Sequence, residues 1–310
     1  MASLPPFLSD LSLPPPPSIS LVNIALPLLI LSERFSFYPG SYIFKLLSSL
    51  AFLSGPLYYL SPTPPPLPST LDAQSLQDYF IAYTDQFNPY HLLIAAGLLA
   101  SILGDYLLIP TRTDYYNKHF GAVTANTRQA ARQQAKEESG ETETRKITVS
   151  FQLGVVAFAL AHIAYILAFV ENNVNKDTET PVNWPVFGTT LAATLLLSKW
   201  LGVIYPPKGK KGGVTGNVLN LAISGPMRPL VFAYSIIIGC MLAVAASTEA
   251  AEGDAPSYQR VLGAAMFVAS DVFVAKDAFA RGRAGKPGWL RPLVGFGLYF
   301  WAQMLIAGTV

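Results

Sequence analysis

The sequence predicts an all-α fold, a polytopic integral membrane helical bundle with about eight transmembrane helices. Hydrophobic residues make up 51% of the 310-residue chain and charged residues only 13%, whereas a soluble globular protein carries about 25% charged residues. Apolar runs of about 20 residues, the length that a helix needs to cross roughly 30 Å of hydrocarbon, recur along the chain. The charges between these runs alternate in sign from one loop to the next, as expected of membrane spans.

The apolar runs define the predicted spans and the domain organisation. The first run is short and contains Asn23 and Pro27. Residues 1–17 form a proline-rich N-terminal extension, and residues 18–310 form a single transmembrane helical domain with a polar cytoplasmic loop at 111–147. The approximate spans are 18–33, 42–60, 91–110, 148–170, 184–205, 228–246, 260–280 and 289–309.

Lysine and arginine are distributed unevenly between the two sides of the predicted bundle. The chain has 21 of them, and most lie in alternate loops, including 111–147, 206–228 and 281–291. The intervening loops are rich in Asp and Glu. Because Lys and Arg accumulate on the cytoplasmic side, we expect the basic loops in the cytoplasm and both termini in the lumen or outside the cell.

Few ionisable side chains lie within the spans, and each is costly there. A charged group at bilayer depth costs about 2.5–3.5 kcal/mol even on the lenient insertion scale. Asp105, His162 and Asp271 are the clearest examples, and Lys45 lies nearer the end of its span. The spans also contain uncharged polar residues: Tyr165, Tyr234, Ser270 and Gln303. The predicted topology places these groups at comparable depths, so we expect one polar pocket that opens toward the cytoplasm.

Two intramembrane carboxylates favour a catalytic site over simple helix packing. Polar side chains between membrane helices often only bond a neighbouring helix, for about 0.6–2 kcal/mol. An unpaired aspartate is driven toward protonation by desolvation, and two that share a site separate in pKa. Asp105 and Asp271 are therefore predicted to supply an acid and a base together, with no cofactor.

Other classes of site have less support in the sequence. The chain has three histidines and one cysteine, which is too few on suitable spans for the usual zinc ligands. No metal is predicted, although Asp105, His162 and Asp271 together remain a minor metal-site alternative. The net charge of +2 and the position of the basic residues beside the spans do not suggest nucleic-acid binding. The oligomeric state cannot be predicted.

Four stretches of the predicted spans combine glycine, aromatic and polar residues. They are "LLASILGDYLLI", "FALAHIAYILAF", "RVLGAAMFVASDVFVAKDAF" and "GLYFWAQMLIAG". They contain Gly104–Asp105, His162 with Tyr165, Ser270–Asp271, and Tyr299 with Gln303. In their order and spacing these stretches resemble the signatures of the YhhN-like lysoplasmalogenase family. Lys45 in "YIFKLL" resembles an early family lysine, although Leu46 stands where a proline is common.

The resemblance implies a membrane hydrolase, in the endoplasmic reticulum membrane of a eukaryotic host, that cleaves the vinyl ether bond of lysoplasmalogens. Asp105 and Asp271 would be catalytic, with their individual roles open. His162 and Tyr165 would orient the carboxylates or water, and Tyr234 would belong to the same site. Ser270 and Gln303 would bond the headgroup or the hemiacetal, and Lys45 would meet the phosphate.

Three alternatives stay open from the sequence. In the first alternative the protein is a hydrolase of another lysolipid. In the second it is a proton-coupled transporter, since membrane carboxylates also mark proton relays. The chain shows no inverted repeat that would favour a transporter. In the third alternative the protein binds lipids without catalysis. In each case the expected partners are a lysophospholipid and membrane lipids.

Overall fold

A computed structural model gives the fold of the chain. It describes residues 10–60, 66–68, 72–120, 148–175, 177–179, 181–207, 213–250, 255–280 and 288–310. Within these residues the regular structure is helical, with only isolated β-bridges. The predicted all-α class is confirmed.

Ten α-helices make up the described chain. They are α1 Pro16–Arg34, α2 Tyr38–Tyr59, α3 Ala73–Thr84, α4 Pro89–Leu107, α5 Arg112–Phe120, α6 Val149–Glu171, α7 Trp184–Leu201, α8 Arg228–Ser247, α9 Ser257–Phe279 and α10 Leu290–Ala307, with a 3₁₀ turn at Gly225–Met227 before α8. Every predicted span corresponds to one of these helices, and α3 and α5 are additional helices in segments that the apolar pattern leaves as loops.

Among the residues that the structure describes, five helices are long and apolar enough to cross a membrane. They are α1, α4, α6, α8 with its 3₁₀ turn, and α10. The predicted count of eight spans is therefore supported only in part. Helix α9 has the required length of 23 residues, but it includes Arg260, Asp271, Lys276 and Asp277, which lower its apolarity.

Local sequence signals set several helix boundaries. Asn88, Thr148 and Asn183 precede α4, α6 and α7, and each side chain accepts a hydrogen bond from a backbone N–H of the first turn. Proline follows Asn88 directly, where its missing N–H costs no helical hydrogen bond. Helix α7 ends at Gly202, whose positive φ of 92° suits glycine at this position.

Six helices form a closed ring. Going around it, each of α2, α4, α6, α8, α9 and α10 packs against the next, and α10 returns to α2. Helix α1 packs outside the ring on α2 and α10, whereas α7 contacts only α8 among the described helices. The ring encloses a core in which Phe52, Phe267 and Phe300 are fully buried.

The two ends of the ring are defined by different contacts. At one end, here called the termini end, Ser12 contacts Gln259 and Thr309 contacts Tyr90, so both described chain ends lie together. At the other, the basic-loop end, α5 packs on α2, and Lys118 and Arg291 both contact Asp277. The starts of α4 and α9 thus share the end at which α10 finishes.

Candidate active site

Every helix of the ring contributes a polar side chain to its interior. The sequence places Lys45 on α2, Asp105 on α4, His162 on α6, Tyr234 on α8, Asp271 on α9 and Gln303 on α10. Inward-facing polar groups avoid the cost of contact with hydrocarbon, which explains why the predicted residues converge. They form two hydrogen-bonded sets, one at each aspartate.

The first set surrounds Asp105, whose side chain is 3% exposed. Lys45 Nζ lies 3.3 Å from Asp105 Oδ1 and also donates to the Asp105 backbone carbonyl at 3.1 Å. Ser49 and Tyr299 each donate a hydrogen bond of 2.7 Å to Asp105 Oδ2. One cation and two hydroxyl donors therefore stabilise a single carboxylate.

A series of linked hydrogen bonds extends from deeper in the ring to the same carboxylate. Tyr165 OH donates to Gln303 Oε1 at 2.9 Å, and Gln303 Nε2 donates to Tyr299 OH at 3.4 Å. Ser101 Oγ lies 3.3 Å from Tyr165 OH and is the donor there, because Tyr165 gives its only proton to Gln303. Every donor in this series points toward Asp105, so each bond polarises the next in the direction that stabilises the anion.

The second set contains Asp271 and Tyr234. Tyr234 OH donates to Asp271 Oδ2 at 2.5 Å. In the described part of the chain Asp271 has no cationic partner and no second hydrogen bond. Asp271 is half-buried, in contrast to Asp105. Its Oδ1 is therefore left for a proton or a ligand.

His162 lies between the two sets and is fully buried. Its Nδ1 is 2.5 Å from the backbone carbonyl of Phe158, which assigns the proton to Nδ1 and leaves Nε2 as an acceptor. Nε2 has no hydrogen-bond partner among the described residues. The imidazole meets the rings of Phe267 at 4.6 Å and Tyr234 at 5.5 Å, both edge to face.

Aromatic rings separate the two aspartates. The ring of Tyr299, whose hydroxyl bonds Asp105, packs 5.3 Å from the ring of Phe267. Phe267 lies one helical turn before Asp271 on α9. No hydrogen bond joins the two carboxylates within the described ranges. The expected single polar pocket is thus two neighbouring polar sets around a shared aromatic wall.

Glycines allow the close approach of α4 and α6 on which the first set depends. A Cβ at Gly104 would lie 2.6 Å from the Phe158 ring, and one at Gly97 would overlap the Tyr165 ring. Larger residues would therefore push Tyr165 away from Ser101 and Gln303.

Side-chain exposure indicates the direction in which the site opens. Lys45, Tyr234 and Asp271, on the basic-loop side, are partly exposed. Tyr165 and Gln303, closer to the termini end, are fully buried. The more exposed part of the site therefore faces the basic-loop end.

The comparison with protein families identifies the chain. The YhhN family model matches residues 142–310, which is more than half of the chain. The protein belongs to the YhhN family. The match includes His162, Asp271 and Gln303, whereas Lys45 and Asp105 precede it. No curated protein and no solved structure matches the chain.

In this YhhN family member, sequence reasoning missed two site residues. Tyr299 was part of a family-like stretch but was not assigned to the site, although it lies one turn before Gln303 on the same helix face. Ser49 lies one turn after Lys45 and carries no such signal beyond this i,i+4 spacing.

Two predicted ligand contacts remain predictions. Ser270 Oγ donates to the Phe267 carbonyl of its own helix at 2.7 Å, so its hydroxyl proton is already engaged. Lys45 is already paired with Asp105 rather than available only for a phosphate.

Among the described residues no three His, Cys, Asp or Glu side chains lie close enough together to hold a metal ion.

Proposed function

We propose that this protein is a membrane-embedded hydrolase that cleaves the vinyl ether bond of lysoplasmalogen, the alkenyl-glycerophosphocholine or alkenyl-glycerophosphoethanolamine. The products are a fatty aldehyde and a glycerophospho-alcohol. The observation that carries the proposal is the pair of aspartates inside the ring, held in opposite surroundings. Membership of the YhhN family and the resemblance to lysoplasmalogenases support the substrate class.

Asp105 is the carboxylate that begins and ends the proposed cycle as an anion. Lys45 compensates its charge, and Ser49 and Tyr299 donate to the same carboxylate oxygen. Opposite charge and donated hydrogen bonds both favour the ionised form of a carboxyl group. A fixed anion at this position stabilises positive charge that develops on the substrate.

Asp271 is the general acid. It is half-buried, and its contacts in the described part of the chain provide one hydroxyl donor and no cation. A carboxyl group in such surroundings favours its neutral form. Tyr234 holds Oδ2, so Oδ1 carries the proton.

The two aspartates then complete a balanced hydrolysis. Asp271 transfers its proton to the β-carbon of the vinyl ether, and the resulting oxocarbenium ion is stabilised by the Asp105 anion. Water adds to the α-carbon as Asp105 accepts one of its protons, which gives a hemiacetal. The hemiacetal then loses its hydroxyl proton to Asp271 as the C–O bond breaks, and the departing oxygen takes the proton held by Asp105. Both groups return to their starting states.

Neighbouring side chains fit supporting roles in this scheme. The acceptor Nε2 of His162 has no partner among the described residues, which suits a water molecule beside the Tyr234–Asp271 set. Tyr165 and Gln303 hold Tyr299 on Asp105. Ser270 and Gln303 are further candidates for contact with the headgroup or the hemiacetal.

The charge distribution supports an orientation with the basic loops in the cytoplasm and the termini in the lumen. The two described chain ends lie at one end of the bundle, which fits an even number of spans. We propose the endoplasmic reticulum membrane on the family resemblance. A glycosylation acceptor added after Val310 is expected to be modified, whereas one added to the loop at 111–147 is not.

The first experiment measures fatty aldehyde release from lysoplasmalogen by the purified, detergent-solubilised protein. We expect aldehyde from the wild type and a loss of about 10²-fold or more in Asp105→Asn and Asp271→Asn, as is usual when a general acid or base is removed. Asp78→Asn, an exposed aspartate on α3, is the matched control and retains activity.

The variants are compared at equal amounts of folded protein, because Asp105→Asn also removes the negative charge that pairs with Lys45. Wild-type protein that releases no aldehyde contradicts the vinyl ether assignment. Activity on another lysolipid that depends on both aspartates keeps the mechanism but changes the substrate. Proton-coupled uptake into vesicles without turnover favours the transporter alternative.

A further inference from the structure

A second group of charged side chains lies at the basic-loop end, outside the aspartate sets. It consists of Glu33, Arg34, Lys118, Asp277 and Arg291, here called the charged cluster. Lys118 Nζ lies 3.3 Å from Asp277 Oδ2, and Arg291 pairs with Asp277 Oδ1. Glu33 lies within electrostatic range of both Lys118 and Arg291.

Within the described part of the chain, the charged cluster contains more basic than acidic side chains. Three basic side chains face two acidic ones, and Asp277 is shared between Lys118 and Arg291. Glu33 accepts a hydrogen bond from Ser41 and lies 3.7 Å from His119 Nε2. A surface with an excess of basic side chains favours an anionic ligand.

Two buried donors in the charged cluster have no acceptor. Arg34 Nε and Arg291 Nε are both shielded from solvent, and neither has a hydrogen-bond partner among the described residues. An unsatisfied buried donor on a charged group is expensive, so a water molecule or an anion is expected beside it. Guanidinium groups present paired donors that match the oxygens of a phosphate.

The surroundings of the charged cluster fit a lipid rather than a free ion. The Arg34 guanidinium lies 5.5 Å from the centre of the Trp289 ring, and Trp289 is 49% exposed. Phe35, next to Arg34, is 66% exposed and packs edge to face on Trp289 at 6.0 Å. Exposed aromatic rings beside basic residues are typical of the membrane interface, where lipid phosphates lie.

Lys45 connects the charged cluster to the first aspartate set. Its ammonium is within electrostatic range of Glu33 and forms the ion pair with Asp105. A phosphate held by the charged cluster would therefore lie on the partly exposed side of the site, with the rest of the lipid directed toward the aspartates. The phosphate contact predicted for Lys45 would belong to this larger group.

We propose that Arg34, Lys118 and Arg291 bind the phosphate of a glycerophospholipid headgroup at the basic-loop end. This inference rests on the proposed function, because it assigns the phosphate of that substrate to three side chains outside the aspartate sets.

The test compares two substrates of the full-length protein, 1-alkenyl-glycerophosphocholine and 1-alkenylglycerol, which lacks the phosphate. Arg34→Gln and Arg291→Gln are each expected to raise KM for the phospholipid about tenfold, the effect of one charged hydrogen bond. Their kcat on the phospholipid and their kinetics on 1-alkenylglycerol stay close to wild type. Lys199→Gln is the matched control, because Lys199 is exposed at the end of α7, which packs only on α8 among the described helices.

Asp277→Asn separates binding from a structural role. It removes the carboxylate that competes for Lys118 and Arg291, so we expect a lower KM for the phospholipid. A structural network predicts instead that Asp277→Asn and Arg291→Gln impair both substrates in parallel, and that result overturns the proposal while leaving the proposed function intact.

Two further outcomes are decisive. Inhibition of 1-alkenylglycerol hydrolysis by inorganic phosphate, with equal KM values for the two lipids, would identify a free-anion site and overturn the lipid assignment. If the wild type releases no aldehyde from either lipid, the proposed function fails. The phosphate site is then tested separately, by measuring lipid binding to the protein. Tighter binding of lysophosphatidylcholine than of monoacylglycerol, lost in Arg291→Gln, supports the phosphate site, and equal binding contradicts it.

Discussion

The two ends of the helical ring use polar side chains in different ways. At the termini end, Gln259 bonds the backbone of Ser12 and Leu305, and Arg260 donates to the Asn172 carbonyl. At the basic-loop end, the side chains of Lys118 and Arg291 pair with the Asp277 side chain. The first arrangement ties chain segments together, whereas the second leaves charged groups partly exposed to solvent or ligand.

Exposure shows the same difference. Gln259 and Arg260 are completely buried, and the Arg260 guanidinium lies 5.3 Å from the Tyr90 ring and 5.5 Å from the Phe169 ring. The side chains of Lys118 and Asp277 remain 34% and 38% exposed. Polar residues at the termini end therefore serve to close the bundle, and those at the basic-loop end lie where we propose that a headgroup binds.

The largest effect on stability is expected from Gln259→Ala. Its amide accepts from Ser12 N and donates to the carbonyls of Ser12 and Leu305, and at about 1 kcal/mol for each bond the loss is about 3 kcal/mol. Thermal unfolding in detergent measures it, with the exposed Gln152→Ala on α6 as the control. Turnover for each folded molecule stays unchanged; a loss of turnover without a loss of stability would contradict the division between the two ends.

A smaller change in stability, but a clear change in turnover, is expected from Tyr299→Phe. This variant removes the hydroxyl that donates to Asp105 at 2.7 Å and leaves Gln303 Nε2 without its acceptor. We expect kcat for aldehyde release to fall about tenfold and the free energy of unfolding to fall by about 1–2 kcal/mol.

Tyr106→Phe on α4 is the control for that substitution, because Tyr106 is 54% exposed on the outside of the ring. Full turnover in Tyr299→Phe, with a stability loss greater than that of Gln259→Ala, would reverse the comparison.

The smallest effect on the free energy of unfolding is expected from Tyr115→Phe in α5. The hydroxyl of Tyr115 donates a long hydrogen bond of 3.4 Å to the Ser32 carbonyl, so the loss near pH 7 is below about 0.5 kcal/mol. Burial, followed by the nearby Glu33 carboxylate, raises the pKa of Tyr115 above its ordinary value. The folded state thus keeps this proton to higher pH than the unfolded state, and its contribution to stability falls only above pH of about 10.

The free energy of unfolding, measured from pH of about 8 to about 11 in steps of about one pH unit, tests this direction of the pH dependence. We expect the stability of Tyr115→Phe to fall less steeply than that of the wild type above pH of about 10, with Tyr116→Phe on the same helix as the control. A steeper fall in Tyr115→Phe would contradict the assigned direction.

Much of the site was predictable because a membrane allows few polar residues. Asp105, His162, Asp271 and Gln303 stood out against apolar neighbours, and the structure places all four inside the ring. Helix α5 was not predicted, because its nine residues are mostly polar and lie inside a loop with mixed charges.

The pairing of the polar residues was not predictable from the sequence. Lys45 was assigned to a phosphate, and the structure places it on Asp105. Tyr299 and Ser49 complete the same carboxylate site, although serine and tyrosine are ordinary residues in membrane helices. The prediction of a single polar pocket was based only on the depth of the polar residues in the membrane. In the structure the rings of Phe267 and Tyr299 lie between the two polar sets.

The sequence by itself determined the helical class, the apolar segments and the depth of the ionisable side chains, because hydropathy and the cost of burying charge act on each segment separately. Only the tertiary structure decided which donor meets which carboxylate. Hydrogen bonds require contacts of about 3 Å, and those depend on the rotation and register of six helices packed in a ring. The difference between Asp105, paired with Lys45, and Asp271, bonded only to Tyr234 among the described residues, arises at that level.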